Sequence, residues 1–469
     1  MTASILFLAV GSWGDVAPVL TVARALTQGG VTGRPAPPGT AGCDSIGPRP
    51  DTAGGAARGA DRGATGSPGW RVRVAVTSDY VAAVEAAGFE AVDLGIRVEP
   101  LLRSPLARQW IVDFGGGLRS QIRGTRRMYH EFGREAGLAL LAAWRPGEAV
   151  VSGLPAFPLG AALAEIQSVR HALLLFIPLS PSRSADATSD PVTPWPSPFN
   201  RWSTAVVRRF VERCQHGWTG AVRSSLGLAP WTQADFLAGL AATPTLYGVS
   251  RQFLPPPADW PDWVGVSGHL LGDDDSGLPP GPDGVTAVPP GLAEFLDQHR
   301  NAVFVGFGSF TATLPERDGD LVRAALALAG QPAVVASDTM VGPVRAATPL
   351  FAVGRLSYAW LFPRVVGAVH HASSGTAQRV TLSGLPSVSV PLLGDQPYWA
   401  RRLARLGLGP EPIPYSRLTA ARLATAIRAL TDDPAYTGRA RQLASAMARE
   451  QGPAEAAAFL ARWVGQSRP

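Results

Sequence analysis

The sequence predicts an α/β protein built from two Rossmann-like, doubly wound parallel-sheet domains. Three observations carry that expectation. Apolar runs of strand length recur, as strands buried on both faces require. Most are followed by apolar residues at helical spacing. A Pro-rich region from Pro255 to Gly291 divides the 469 residues into two such series. A chain of this length also exceeds one ordinary core, so size alone favours two domains.

The first series opens with Ser4–Val10 (SILFLAV), a strand, then a turn at Gly11–Gly14 and helical spacing from Pro18 to Leu26. Residues 29–69 are rich in Gly, Pro, Ala and Asp and nearly free of large apolar side chains. Such a segment buries too little surface to offset its ordering entropy, so a disordered insertion is expected there. Val72–Thr77 is the next strand and Tyr80–Ala87 a helix stopped by Gly88, with further strands at Ala149–Val151, Ala172–Ile177 and Thr245–Gly248. The apolar, Trp- and Pro-rich stretch from Ile177 to Trp218 is read either as a pocket lining or as a variable loop region. The second series runs strand Ala302–Gly306, helix Asp320–Ala329, strand Ala333–Ser337, strand Val366–His370, helix Thr376–Ser383 and strand Ser387–Pro391. From Thr419 onward the chain reads as helical.

Composition narrows the function classes. Every basic residue is arginine, and the net charge of +6 is spread without a basic block, whereas nucleic-acid binders concentrate their charge. Small anionic ligands remain compatible with that balance. Two cysteines, Cys43 and Cys214, can form neither a disulfide framework nor a four-ligand zinc site. The N-terminal run reads as a strand rather than a signal peptide. No stretch reaches the ~18–20 apolar residues of a spanning helix, so a cytoplasmic protein without a transmembrane segment is expected.

Four motifs sit where strands end. GSWGDVAP (Gly11–Pro18) places Asp15 either as a helix cap, which the local pattern favours, or as a carboxylate able to accept a proton in a crevice. It is not a GxGxxG fingerprint, so a dinucleotide cofactor gains no support. GFGSF (Gly306–Phe310), HHASSGT (His370–Thr376) and GDQPYW (Gly394–Trp399) each follow a strand, so parallel strands bring them to one sheet edge. HHASSGT admits a plain strand–helix turn or an anion site at a helix N-terminus. A metal site is disfavoured, because adjacent histidines on a strand diverge and no carboxylate stands at suitable spacing.

Taken together, GSWGDVAP, VGFGSF, HHASSGT and GDQPYWA, in this order, resemble the GT-B glycosyltransferases of the bacterial and fungal sterol and antibiotic glucosyltransferase type. The resemblance covers most of the chain outside 29–69. It implies residues 1–255 as an acceptor-binding domain, 256–450 as a donor-binding domain facing it across a cleft, and a terminal helix in 451–469 packing back on the first. It implies inverting, metal-independent transfer of a hexose from UDP-glucose or a TDP-sugar, with no cofactor, to a hydroxyl of a lipophilic sterol, terpenoid or polyketide-like acceptor. Asp15 then becomes the general base. Ser309, His371, Ser374, Gly375 and Thr376 would hold the diphosphate, Asp395 and Gln396 the sugar hydroxyls, and Arg355 and Tyr358 the nucleobase. No nucleic-acid partner is implied, and peripheral membrane contact is compatible.

Two departures from the family pattern matter. Ala372, Ser373 and Ser374 stand where relatives write Gly-Gly-Ala, and SYAWLFP (Ser357–Pro363) replaces a segment usually carrying a histidine and an acidic residue. They motivate a rival expectation, a catalytically silent paralogue that binds a small molecule or a partner. Retention of Asp15 and GDQP argues for transfer.

Overall fold

The structure, a computed structural model, describes residues 3–28, 69–102, 104–115, 118–130, 133–189, 191–272, 288–308, 316–337, 342–344, 347–354 and 356–465. All but the last residue of the expected insertion at 29–69 lies outside them, as do Ser309 and Arg355.

Seven parallel strands form the first sheet: β1 (Ser4–Ala9), β2 (Arg71–Val76), β3 (Glu90–Asp93), β4 (Glu148–Ser152), β5 (His171–Leu175), β6 (Thr245–Tyr247) and β7 (Val264–Val266). Their spatial order is β3-β2-β1-β4-β5-β6-β7. The second sheet contains β8 (Val303–Gly306), β9 (Ala333–Ala336), β10 (Gly342–Val344), β11 (Leu350–Val353), β12 (Ala368–His370) and β13 (Ser387–Ser389). Its order is β10-β11-β9-β8-β12-β13, with β10 the antiparallel edge strand. In each sheet the winding reverses beside the first strand of the domain, between β1 and β4 and between β8 and β12. Ligands of open parallel sheets gather outside the C-terminal ends of the strands at such a reversal.

The alternation of side chains across β1 explains why its sequence is continuously apolar. Ile5, Phe7 and Ala9 join Val72, Val74 and the helix Trp13–Gln28 on one face. Leu6 and Leu8 join Leu159, Leu163 and Trp218 on the other. Strand β8 repeats this arrangement, with Val303 and Val305 facing the helices Glu316–Ala329 and Ala420–Asp432, and Phe304 packed with Phe351 and Phe362.

Three boundaries differ from the sequence expectation. The first helix begins at Trp13 and holds Pro18 inside it, because Gly11 and Ser12 complete the turn by themselves. The first domain continues past residue 255, since β7 pairs with β6. Its Pro-rich connection is packed structure: Trp260 stacks on Tyr247 at 4.9 Å, and Asp259 accepts from Ser182 Oγ at 2.7 Å. The second half of the stretch from Ile177 to Trp218 is the front of a long helix, Pro198–Ser225.

An apolar seam joins the domains. Phe157, Tyr247 and Phe253 of the first pack in one cluster with Ala372, Trp399 and Leu443 of the second. The terminal helix Gly452–Gly465 places Ala456, Ala457 and Leu460 against the first sheet and helix Trp13–Gln28. Just before it, Glu450 accepts from Ser250 Oγ and the Arg251 amide, both at 2.9 Å, and from the His269 amide at 3.1 Å.

Candidate active site

Asp15 sits in the first turn of helix Trp13–Gln28, at the C-terminal end of β1. Its Oδ2 accepts from the Ser12 amide at 2.8 Å and lies 3.4 Å from Ser12 Oγ. The carboxylate therefore satisfies a helix-end donor, as the capping reading expects, yet only through one oxygen. Oδ1 takes no hydrogen bond among the described residues. Burial, with a smaller contribution from the charge of Asp395, pushes the Asp15 carboxyl up to about 7 against the lowering effect of the Ser12 amide. A helix-end hydrogen bond and a raised pKa thus coexist in one side chain. The charge of Asp395 couples the GDV carboxylate to that of GDQP in the other domain.

On the other wall, β8 ends at Gly306 and β12 at His370. Gly308 has φ +59, and a Cβ there would stand 2.8 Å from His371 Cε1. The glycine of GFG thus makes room for the His371 ring. Burial lowers the His371 pKa to about 4, so the ring is neutral at physiological pH. It can offer a hydrogen-bond donor but no positive charge. The Ala372 amide donates to His370 Nδ1 at 3.0 Å, which fixes the proton of neutral His370 on Nε2.

Ala372 answers the question raised by its substitution for glycine. It adopts φ +63, a left-handed conformation that is unfavourable for residues with a Cβ. Its methyl is fully buried in the seam cluster with Ala377 and Trp399, so it fills apolar space instead of the groove. Ala372→Gly exchanges relief of strain for a lost buried methyl, each worth about 1 kcal/mol. The expected result is a melting temperature nearly unchanged and a nucleotide Kd within about threefold of the parent, checked by thermal unfolding and calorimetry.

Ser373 precedes the helix Ser374–Leu382, and its hydroxyl donates to Thr376 Oγ1 at 3.1 Å. Ser374 is buried, and its Oγ accepts from Gln378 Nε2 at 3.1 Å. Its amide lies close enough to the Asp395 carboxylate to lower that group's pKa. The Gly375 and Thr376 amides belong to the first turn, donate to nothing among the described residues and are partly exposed; space beside Gly375 is open. A helix N-terminus with free amides is suited to an anion.

Asp395 stands at the N-terminal boundary of the helix Gln396–Arg405 without a side-chain capping bond, and its Oδ2 accepts from Trp399 Nε1 at 3.0 Å. Burial raises its pKa to about 6, even though the Trp399 and Ser374 donors lower it. Gln396 is buried, and its Oε1 accepts from the Leu392 and Leu393 amides at 2.8 and 3.1 Å. That oxygen braces the preceding loop, which leaves the Nε2 donors of Gln396 for a ligand. Tyr358 stacks on Phe362 at 4.7 Å and 8°, so one ring face is committed to the core. Of the expected nucleobase pair only Tyr358 is among the described residues.

The sequence reading missed Ser152 and Gly153. Ser152 ends β4 and Gly153 follows it, across the switch point from β1, and both share with Asp15 a cavity of about 10 Å³, the room of one water. Ser152 Oγ lies 2.7 Å from His171 Nε2, and Gly160 presses on that ring, where a Cβ would come within 2.4 Å of Nε2. The end of the apolar strand before Ser152 was the only available signal.

Two facing parallel-sheet domains with their switch points across one cleft define the GT-B architecture. The match to known proteins then falls in that class. Residues 326–462 match the family model described as erythromycin biosynthesis protein CIII-like, C-terminal domain. The O-mycaminosyltylonolide 6-deoxyallosyltransferase of Streptomyces fradiae is 32% identical over 282 residues, covering 58% of this chain and 62% of the relative. A sterol 3-beta-glucosyltransferase of Cryptococcus neoformans is 29% identical over 231 residues, covering 45% of this chain and 14% of the relative. The chain therefore spans less than two thirds of these curated relatives. The solved glycosyltransferase VinC, in complex with dTDP, superposes with a TM-score of 0.61 at 18% identity, over 99% of this chain and all of its own.

Proposed function

We propose that the protein is an inverting, metal-independent glycosyltransferase that moves a hexose from a nucleotide-diphosphate sugar to a hydroxyl of a lipophilic natural product or sterol-like acceptor. One observation carries the reading: a carboxylate pushed to near neutrality is coupled to Asp395 of the other domain, whose neighbouring helix opens with Gly375 and Thr376 amides that pair with nothing among the described residues. Base and anion site are the two groups that such a displacement needs.

In this reading Asp15 Oδ1 accepts the proton of the acceptor hydroxyl as its oxygen attacks the anomeric carbon. The bond from that carbon to the diphosphate oxygen breaks on the opposite face, and its electron pair leaves with the nucleoside diphosphate. The Gly375 and Thr376 amides, the helix dipole and a neutral His371 donor receive the developing charge. Asp395, with Gln396 Nε2, orients sugar hydroxyls, while Asp15 later releases its proton to solvent. A base with pKa near the working pH combines adequate ionisation with adequate proton affinity. The dTDP complex of VinC supports a thymidine diphosphate donor, with the uridine form as competitor. Nothing among the described residues favours the silent paralogue, since Asp15 and its supports are intact.

Calorimetric titration with UDP-glucose and TDP-glucose, followed by turnover with a panel of hydrophobic alcohols, tests the proposal. Binding of one of them and formation of a glycoside with inverted anomeric configuration are expected. Failure to bind either nucleotide sugar, or retention of configuration, would overturn it.

A further inference from the structure

Helix Pro198–Ser225 shows an unusual outer face. Exposed positions recur at Phe199, Trp202, Val206, Arg209 and Arg213, so one stripe runs from aromatic to basic. Trp195 and Phe199 are each 63% exposed, Trp202 is 62% and Val192 54%. Single exposed apolar residues are ordinary on soluble proteins, whereas a contiguous group of large rings marks a contact surface.

These rings are held in place. Buried Asn200 donates to the carbonyls of Arg183 at 3.0 Å, Thr193 at 3.2 Å and Trp195 at 3.0 Å. Ser197 Oγ caps the helix by accepting from the Phe199 amide at 3.2 Å. Prolines at 194, 196 and 198 stiffen the approach further. The protein thus presents two indoles and a phenyl ring to solvent on an ordered platform.

Charge identifies what the platform meets. The neighbouring helix Leu118–His130 carries exposed Arg119, Arg123, Arg126 and Arg127 and no acidic residue. Arg126 Nε donates to the Arg213 carbonyl at 2.7 Å, which fixes the two basic rows side by side. The acidic residue of helix Pro198–Ser225, Glu212, is buried and engaged by His216 and Gln233. Aromatic rings adjoining an unbalanced layer of arginines match the interface of an anionic bilayer, where rings settle at the headgroup level and guanidinium groups meet phosphates.

We propose that this face, centred on Trp195, Phe199 and Trp202 and bordered by Arg201, Arg209 and Arg213, docks the protein on anionic lipid membranes. The platform adjoins the cleft: Tyr398 Oη donates to the Asp186 carbonyl at 2.8 Å and Arg401 to the Ser189 carbonyl at 3.2 Å, from the helix that begins at Gln396. Docking there would bring the cleft mouth to the layer in which a lipophilic acceptor dissolves. The docking itself does not depend on the transfer reading.

The test is co-sedimentation of the full chain with vesicles of phosphatidylcholine, with and without phosphatidylglycerol, without any nucleotide sugar. Wild type should partition onto the mixed vesicles at least about tenfold more than onto phosphatidylcholine alone, and less as salt screens the arginines. The triple variant Trp195→Ser, Phe199→Ser, Trp202→Ser should lose at least about tenfold of that partition while melting like wild type. Arg209→Glu with Arg213→Glu should abolish the preference for phosphatidylglycerol. Absence of partition, or partition unaffected by the triple variant, overturns the proposal. So does a wild-type dimer in ultracentrifugation that the triple variant dissociates, because the face would then belong to a second copy of the chain.

Discussion

Asp15→Asn should lower kcat for glycoside formation by about 10²–10⁴-fold while leaving nucleotide-sugar affinity nearly unchanged. Asparagine keeps the shape and can still accept from Ser12, so the fold of the turn survives and only proton acceptance is lost. In the parent, activity requires the ionised carboxylate, so the rate should rise with pH through about 7 and then level off. Asp395→Asn removes a like charge and should move that rise to lower pH, though desolvation, the larger cause, remains. Asp15→Asn also tests stability. The folded carboxyl near pH 7 keeps a proton that the unfolded chain, with an ordinary pKa of 3.8, has already released. Stability conferred by that proton is present at low pH and is lost as pH rises from about 4 to about 7. Asp15→Asn should therefore melt higher than wild type at neutral pH, by up to a few kcal/mol, and the gap should close on acidification. A full-rate Asp15→Asn enzyme, with binding intact, would place the base elsewhere.

Gly11→Ala should be nearly as damaging to turnover and also destabilising. Gly11 has φ +144, and a Cβ there would lie 2.1 Å from Asp15 Oδ2. Strain of ~1–3 kcal/mol and overpacking of similar size add together, so a drop of roughly 2–5 kcal/mol is expected in denaturant unfolding. The displaced carboxylate would leave its Ser12 donor and its aim into the cleft. Donor binding, built on the other domain, should persist in whatever fraction folds. Unchanged melting together with unchanged kcat would show that the turn can shift without moving Asp15.

The parallel-sheet plan was legible because β1, β8 and β12 are short, mainly apolar runs buried on both faces, each followed by a motif rich in small residues. Strands β3 and β7, EAVD and VGV, carry too few apolar residues to announce themselves. Helix Pro198–Ser225 was illegible for another reason. Its inward positions include the polar residues Asn200, Thr204, Arg208, Glu212 and Gln215, each making at least one hydrogen bond, so the usual apolar stripe is interrupted. At the site, Asp15 was legible as a residue between two roles. Its coupling to Asp395 was not, because that depends on how the domains face each other. Likewise, the neutrality of His371 follows from burial that no heptapeptide can reveal.

The chain of contacts through Gln378 has a mechanical consequence. Its Nε2 holds Ser374 Oγ at the start of the loop helix, its Oε1 receives the Ser250 amide at 2.7 Å, and Ser250 Oγ in turn reaches Glu450. Parting the domains along this line would strand buried donors in an apolar seam. The line therefore acts as a clasp that ties the Ser374 end of the anion loop to Ser250 of the first domain, so separation there is opposed by buried hydrogen bonds.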